Sequence, residues 1–201
     1  MTTTPAVTRR EQILETAAEL FAARGFHGVS VADLGAACGI SGPALYKHFP
    51  SKDAVLAEML VSISQELLMV GRQRVDDAPD PAAAVRSLVD WHVGFALRHR
   101  PLIVVQDRDW ESLPDAAREQ VRALQREYVD LWAAQLRLLH PGLVLAPARA
   151  MAHAAFGLIN STPHSGLLPD ARMHDLLQDM ALRAFDAEPT GRRARRSSQK
   201  R

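Results

Sequence analysis

Residues 30–52 read SVADLGAACGISGPALYKHFPSK, and this stretch decides the fold of the N-terminal part of the chain. Ser30 and Ser41 are suited to start helices, because a serine hydroxyl accepts hydrogen bonds from the free amides of a first helical turn. Gly39 lies between them and suits a tight turn, since a residue without Cβ adopts positive φ at no steric cost. Pro43 falls in a first turn, where a missing N–H costs nothing. The pattern predicts two short helices joined by a tight turn.

Two further helices flank this pair. The sequence Thr8-x-x-Glu11 has the capping-box pattern, which predicts the start of a helix, and Gly25 is placed to end it. On the other side, Pro50 stops the second short helix and Ser51 caps a long apolar one. The N-terminal part of the chain is therefore expected to be a small bundle of helices around the tight turn.

These features occur in one register that resembles the helix-turn-helix of TetR-family transcriptional repressors. The Leu-Tyr-Lys-His-Phe run at 45–49 and the Ser-Lys that follows carry the likeness. The resemblance implies an all-α fold of about nine helices. It also implies a DNA-binding domain over 8–68 and a helical ligand-binding and dimerisation domain over 69–188. The remainder, 189–201, is rich in Gly, Ser and Arg and is expected to be a disordered basic tail.

A recognition helix of this kind enters the major groove with its N-terminal residues near base edges. Gly42 allows close approach, Ala44 offers a methyl group to thymine, and Lys47 can read guanine or hold a phosphate. Ala32 stands where some family members carry a base-reading Arg, so DNA shape is expected to contribute to recognition. The predicted DNA-binding set is Thr8, Ser30, Val31, Ser41, Gly42, Pro43, Ala44, Tyr46, Lys47, His48 and Lys52.

Composition narrows the class of protein. The 201 residues are 47% hydrophobic and carry a net charge of +1, and the sequence shows no strand-like alternation. No stretch reaches the roughly 18 apolar residues that a membrane span needs, and no apolar signal core follows the first methionine. A cytoplasmic protein without membrane contact is expected. Cys38 is the single cysteine, which excludes an intramolecular disulfide.

The C-terminal part carries apolar helical stripes with polar members. A helix starting at Asp80-Pro81 places His92 and His99 on an apolar face. A helix from Pro114 to about His140 places Tyr128 and Gln135 on another apolar face, together with Leu138. These polar groups are either core residues whose hydrogen bonds are made inside the protein or the polar groups that orient a ligand in a cavity. The predicted ligand-binding set is Leu88, Trp91, His92, Phe95, His99, Ile103, Arg108, Tyr128, Trp132, Gln135 and Phe156.

The effector is expected to be a small hydrophobic molecule. The stretch Val-Val-Gln-Asp at 104–107 and residues 128–132 weakly resemble actinobacterial members that respond to acyl-CoA or steroid-CoA thioesters. An acyl chain suits the apolar stripes, and arginines at the mouth, with Arg98, Arg100, Arg108 and Arg122 as candidates, suit the CoA phosphates. Antibiotics or aromatic compounds are the competing effector classes. No cofactor and no bound metal are expected.

Two amphipathic helices near the C-terminus, about 147–160 and 169–187, predict a homodimer. Small residues on the first of them permit close helix contact, and the family builds a four-helix bundle across a two-fold axis from the corresponding pair. A two-fold dimer matches a pseudo-palindromic operator with half-sites one DNA turn apart, ~34–36 Å.

Three other classes of protein compete with a ligand-released repressor. An enzyme lacks support, because the sequence has no nucleophile elbow, no metal-spaced His pair with Glu and no phosphate-binding glycine loop. A metal-responsive repressor is a second alternative, although His92 and His99 are separated by about 10 Å along one helix. A scaffold protein is the third, and it would bind no DNA specifically.

Overall fold

The computed structural model describes residues 8–186, and over that range the chain forms nine α-helices and no strand. The all-α fold expected from the sequence is thus confirmed, while the basic tail over 189–201 lies outside the described residues. The helices are α1 (Arg9–Arg24), α2 (Val31–Ala37), α3 (Gly42–Leu45), α4 (Lys52–Asp76), α5 (Pro81–Arg98), α6 (Arg100–Arg108), α7 (Asp115–Leu139), α8 (Leu145–Ile159) and α9 (Asp170–Phe185), with short 3-10 turns at Trp110–Ser112 and Thr162–His164.

The helix starts predicted from Ser and Thr residues are confirmed. Thr8 and Ser30 each form a complete capping box, in which the carboxylate of Glu11 or Asp33 accepts a hydrogen bond from the backbone amide of the cap residue. These bonds hold the pKa of both carboxyl groups below the usual range. Ser41 accepts from the amide of the third residue of the α3 region at 3.3 Å. The local sequence therefore determines where α1, α2 and α3 begin.

The second helix of the motif is shorter than the sequence predicted. The expected helix runs from Ser41 to Pro50, but the α-helix ends at Leu45. After Leu45 the backbone forms hydrogen bonds between residues three apart: the Lys47 amide donates to the Ala44 carbonyl, and the His48 amide donates to the Leu45 carbonyl. Tyr46, Lys47 and His48 thus lie in a tight helical turn rather than in a regular helix.

The described chain divides into two compact units, of which the first takes in residues up to 66 and residues 99–125. It contains α1 to α3, α6 and parts of α4 and α7. Its core is a continuous cluster of buried apolar side chains centred on Ile13, Phe21, Leu34, Leu56 and Leu60. The sequence-based domain boundary near 68 falls inside α4, and the division at 8–68 and 69–188 stays a prediction.

Gly35 on α2 is buried in the first unit and was not singled out from the sequence. A Cβ built there lies 2.9 Å from the carbonyl oxygen of Ile40 and 3.1 Å from the amide nitrogen of Gly42. Both contacts are with backbone, and the turn itself depends on Gly39 at φ 66°. Because no side chain can rotate away, only a residue without Cβ lets α2 approach the start of α3 this closely.

We expect Gly35→Ala to lower the free energy of unfolding by about 1–3 kcal/mol, since the added methyl overpacks a site bounded by backbone. Chemical denaturation followed by circular dichroism measures this. The matched control is Gly94→Ala on α5, where the added Cβ meets only the mobile end of Arg98 at 3.1 Å. That variant is expected to be neutral or slightly stabilised. Equal stability of Gly35→Ala and the wild type would contradict the close approach.

The second unit comprises residues 67–98 and those from 126 onward. Its centre is α5, which packs on both α8 and α9. Arg149 of α8 reaches Asp130 of α7 with two bonds of 2.5 and 2.8 Å, and they hold the pKa of Asp130 low. The last two helices confirm the predicted pair, with ends at Leu145–Ile159 and Asp170–Phe185.

Two expectations about apolar stretches were wrong. By length and composition alone, helix α4 could cross a membrane. Leu56 and Leu60 of this helix belong to the core of the first unit. On α7, Leu138 was placed on the apolar face, yet its side chain is 63% exposed.

Candidate functional site

The helix-turn-helix presents an exposed face made by the turn after α3. Tyr46 is 54% exposed, and Lys47 is also exposed with no hydrogen-bond partner among the described residues. A Cβ built on Gly42 has open space around it, so nothing inside the protein requires glycine there. Ser41 and Pro43 are exposed and Ala44 is half-buried. The structure therefore brings the predicted base-reading positions together on one accessible surface.

Thr8, Ser30 and Val31 are also at the surface of the first unit. The two cap residues are exposed at the starts of α1 and α2, and Val31 is half-buried in the first turn of α2. Helix N-termini carry free amides and partial positive charge, which favour phosphate groups. His48 is half-buried, and its carbonyl accepts a hydrogen bond from Arg10.

Lys52 has a different environment from the one its predicted role requires. Its ammonium group donates to the carbonyls of Phe26 and Val29, both at 2.8 Å, and lies 4.2 Å from the centre of the Phe26 ring. The side chain is half-buried at the start of α4. Lys52 thus ties α4 to the loop between α1 and α2, and a phosphate contact would have to compete with two internal bonds.

Two arginines of α1 were missed from the sequence and have structural roles. Arg10 bonds Glu58 on α4 and lies 4.2 Å from the centre of the Phe49 ring. Arg9 donates to the carbonyl of Cys38 in the turn that precedes α3. An i,i+4 pattern could not have revealed these contacts, because the partners are far apart in sequence.

The contrast between the two lysines gives a direct test of the DNA-binding face. Lys47→Ala is expected to leave the melting temperature unchanged and to weaken binding to specific DNA by roughly 1–3 kcal/mol, because the side chain has no internal partner. Lys52→Ala is expected to lower stability by about 1–3 kcal/mol through loss of its charge-assisted bonds. Paired thermal denaturation and fluorescence anisotropy on labelled DNA separate the two effects. Full specific affinity of the Lys47→Ala variant would remove this residue from the readout.

The second unit holds a cluster of aromatic side chains that we call the His92 cluster: His92, Tyr128, Trp132 and Phe156. The Phe156 ring is stacked on His92 with centroids 4.8 Å apart and on Tyr128 at 5.5 Å. Trp132 meets the Phe156 ring edge-on at 5.0 Å. His92, Tyr128 and Trp132 are buried, whereas Phe156 is half-buried. The structure therefore brings together four of the predicted ligand-binding residues.

Polar atoms inside the His92 cluster form a short chain. The imidazole Nε2 lies 3.3 Å from Oδ1 of Asn160, and Nδ1 lies 3.3 Å from the Tyr128 hydroxyl. Since Oδ1 only accepts, the arrangement fits a neutral ring in which Nε2–H donates to Asn160 and Nδ1 accepts from Tyr128. Burial lowers the pKa of His92 to about 4, with Asn160 acting in the opposite direction, and burial raises the pKa of Tyr128.

His92 makes stability depend on pH. The unfolded chain binds a proton at this residue below its ordinary pKa of 6.5, whereas the folded chain resists it down to about 4. Folding stability from His92 is thus full above pH 6.5 and is lost as pH falls towards 4, by about 3 kcal/mol. We expect His92→Gln to flatten this part of the pH profile measured by denaturant titration. A profile of His92→Gln parallel to that of the wild type would contradict the assignment.

The other predicted ligand residues divide between the units. Leu88, Trp91 and Phe95 are buried on α5 in the second unit, and Gln135 on α7 is half-buried there. Trp91 keeps a buried Nε1 without a hydrogen-bond partner. His99, Ile103 and Arg108 belong to the first unit.

Arg108 has a structural role in the first unit. Its guanidinium donates to the carbonyl of Ala22 at 3.0 Å, to that of Phe21, and to the carboxylate of Asp109. The carbonyl of Ala22, in the last turn of α1, thereby gains a donor, and that of Phe21 accepts from both Arg108 and the amide of Gly25. Binding of a CoA phosphate by Arg108 would require these bonds to break.

Apolar residues are exposed on both α8 and α9, and we call these positions the α8–α9 face. Leu176 and Met180 lie one turn apart on α9 and are 42% and 44% exposed. On α8 the exposed residues are mostly small, with Ala150, Ala154 and Gly157 among them. Within the described residues, no group of three or more His, Cys, Asp or Glu side chains is placed to hold a metal ion.

Comparison with known proteins assigns this fold to a class of bacterial regulatory proteins. The model of the tetR family of bacterial regulatory proteins matches residues 13–59, and that of the tetracyclin repressor-like C-terminal domain matches residues 78–185. The second match alone covers more than half of the chain. The chain therefore belongs to the TetR family, and the resemblance seen in the sequence is confirmed.

Individual relatives are regulators rather than enzymes. The HTH-type transcriptional repressor KstR2 of Rhodococcus jostii is 30% identical over 125 residues, which are 62% of this chain and 61% of that protein. A TetR-family transcriptional regulator from Bordetella parapertussis superposes with a TM-score of 0.76 at 29% identity, covering 88% of this chain and 93% of that one. The structure of AibR in complex with isovaleryl coenzyme A and operator DNA shares the fold, with a TM-score of 0.68 at 22% identity, over 86% of this chain and 97% of that one.

Proposed function

We propose that the chain is a homodimeric transcriptional repressor that leaves a pseudo-palindromic operator when a small hydrophobic molecule binds. Within this function, residues 8–68 read DNA and residues 69–188 bind the effector and the second copy. The observation that carries the proposal is the exposed turn after α3, where the side chains of Lys47 and Tyr46 have no hydrogen-bond partner among the described residues. Caps and Gly35 hold the backbone of this turn. Membership of a family of bacterial regulatory proteins supports it.

The α8–α9 face supports the homodimer. Large apolar side chains are exposed on α9 and small residues are exposed on α8, so a second copy could bring its own pair of helices close. Exposed apolar patches of this kind mark association surfaces. A two-fold arrangement of the two DNA-reading turns then matches an operator with two half-sites.

The second unit supports binding of a hydrophobic effector. The His92 cluster combines apolar rings with a few convergent polar groups, which is the usual composition of a small-molecule site. A CoA thioester is the best candidate, because AibR, which shares this fold, was solved with isovaleryl coenzyme A and operator DNA. DNA release requires that the effector binds the DNA-incompetent arrangement more tightly than the other. Such a regulator acts in the cytoplasm, where its operator lies.

The proposal predicts tight binding to the DNA upstream of this chain's own gene. Fluorescence anisotropy of a labelled upstream duplex, at fixed salt, is expected to show at least about a hundredfold preference over random duplex. Adding acetyl-, octanoyl- or palmitoyl-CoA identifies the effector class by the thioester that reverses binding. If the upstream duplex binds no more tightly than random duplex, the proposed repressor function is contradicted. If the upstream duplex binds tightly but no thioester reverses the binding, only the proposed CoA effector is contradicted.

The dimer is tested with one double variant. Leu176→Asp with Met180→Asp places two charges on the α8–α9 face and is expected to give a monomer in sedimentation velocity, with greatly weakened operator binding. The control Asp175→Asn, at an exposed neighbour on the same helix, should stay dimeric. A double variant that remains dimeric would place the interface elsewhere.

A further inference from the structure

The polar chain through His92 distinguishes the His92 cluster from an ordinary apolar core. Burying polar groups costs free energy unless each is well hydrogen-bonded. Here both bonds of His92, to Tyr128 and to Asn160, are 3.3 Å long, at the weak end of the normal range. Asn160 uses its oxygen, while its Nδ2 amide has no acceptor among the described residues. The cluster therefore retains hydrogen-bonding capacity that the folded chain does not use.

Phe156 and Asn160 form the side of the cluster nearest to solvent. Both are half-buried, whereas the rings they cover are buried. Phe156 lies nearly parallel to His92 and to Tyr128, with interplanar angles of 20° and 11°. It stands on the last turns of α8, beside Gly157, where a Cβ would meet open space. A rotation of Phe156 would uncover two nearly parallel ring faces with the Asn160 amide at their edge.

Among the described residues, no charged side chain contributes to the interior of the cluster. Burial lowers the pKa of His92 and raises that of Tyr128, while Asn160 and Trp132 oppose these two shifts. An anionic group would therefore lose its hydration without gaining a counter-charge. Flat rings, by contrast, gain offset stacking against aromatic faces.

We infer that the effector, on the proposed function, inserts a flat, uncharged ring that carries a carbonyl or hydroxyl oxygen in place of the Phe156 ring. The ring lies against His92 and Tyr128, and Asn160 binds the oxygen. A saturated acyl chain would fill the same space but would leave the Asn160 amide and the ring faces unused. The site thus selects for the ring portion of an effector, whatever group extends towards solvent.

Equilibrium dialysis of the full chain without DNA tests this with four probes. They are 2-naphthol, naphthalene, heptan-1-ol as a linear alcohol of similar hydrophobicity, and 2-naphthoate as a charged ring. We expect 2-naphthol to bind about tenfold more tightly than each of the other three, the gain over naphthalene being one net hydrogen bond. Asn160→Ala should reduce the ratio of 2-naphthol to naphthalene affinity to about one.

The variant Phe156→Ala should bind 2-naphthol about tenfold more tightly, because the ring that occupies the site is gone. Phe156→Leu serves if that variant does not fold, with a smaller gain expected, and Met151→Ala on the same helix should not change binding. Heptan-1-ol binding as tightly as 2-naphthol, or weaker 2-naphthol binding by both Phe156 variants, would overturn the inference. Because no DNA is present, these outcomes are independent of operator binding. If the chain releases its operator to a thioester but does not bind 2-naphthol as expected, the proposed function stands and only the inference about the ring is overturned.

Discussion

A buried carboxylate holds together two parts of the first unit that are distant in sequence. Asp109 accepts a hydrogen bond from the amide of Phe26 at 3.2 Å and pairs with Arg108, whose guanidinium also reaches the last carbonyls of α1. Gly25 ends α1, and the Arg108–Asp109 pair adds a cationic donor to carbonyls of its last turn and holds the loop that leads to α2. Residues 99–125 are thereby tied to the helices that carry the DNA-reading turn, and the position of that turn within the unit depends on this contact.

Several cationic side chains near the DNA-binding face form hydrogen bonds inside the first unit. Arg9, Arg10 and Lys52 lie close to the helix-turn-helix, yet each donates to carbonyls or a carboxylate inside the unit. The Lys47 side chain, in contrast, is exposed and makes no such bond within residues 8–186. Affinity for DNA that comes from phosphate neutralisation grows with the number of available cations. Recognition by this unit should therefore rely more on close backbone approach and helix N-termini than on many lysine and arginine contacts.

Features that depend on neighbouring residues could be predicted from the sequence, and those that depend on distant ones could not. Both capping boxes and the glycine at the turn were predicted, since a cap needs only the next three residues. The internal roles of Lys52 and Arg108 were not, because their acceptors are the carbonyls of helices and loops far along the chain. The space requirement at Gly35 arises from the backbone of the following turn. Helical spacing correctly placed His92 and Tyr128 inside but misplaced Leu138, whose side chain is 63% exposed.

The His92 cluster illustrates why a site can be recognised by its chemistry when its ligand is unknown. A neutral imidazole whose two nitrogens are both used, next to a buried hydroxyl, adds nothing to stability that apolar side chains of the same volume would not supply. Such groups at the centre of the second unit are expected to have a role that apolar side chains could not fill. Phe156 and Asn160 are half-buried, so on the proposed function a ligand would approach the buried rings from their side of the cluster. Because Phe156 lies on α8, a change in its position would occur on a helix that also carries part of the α8–α9 face.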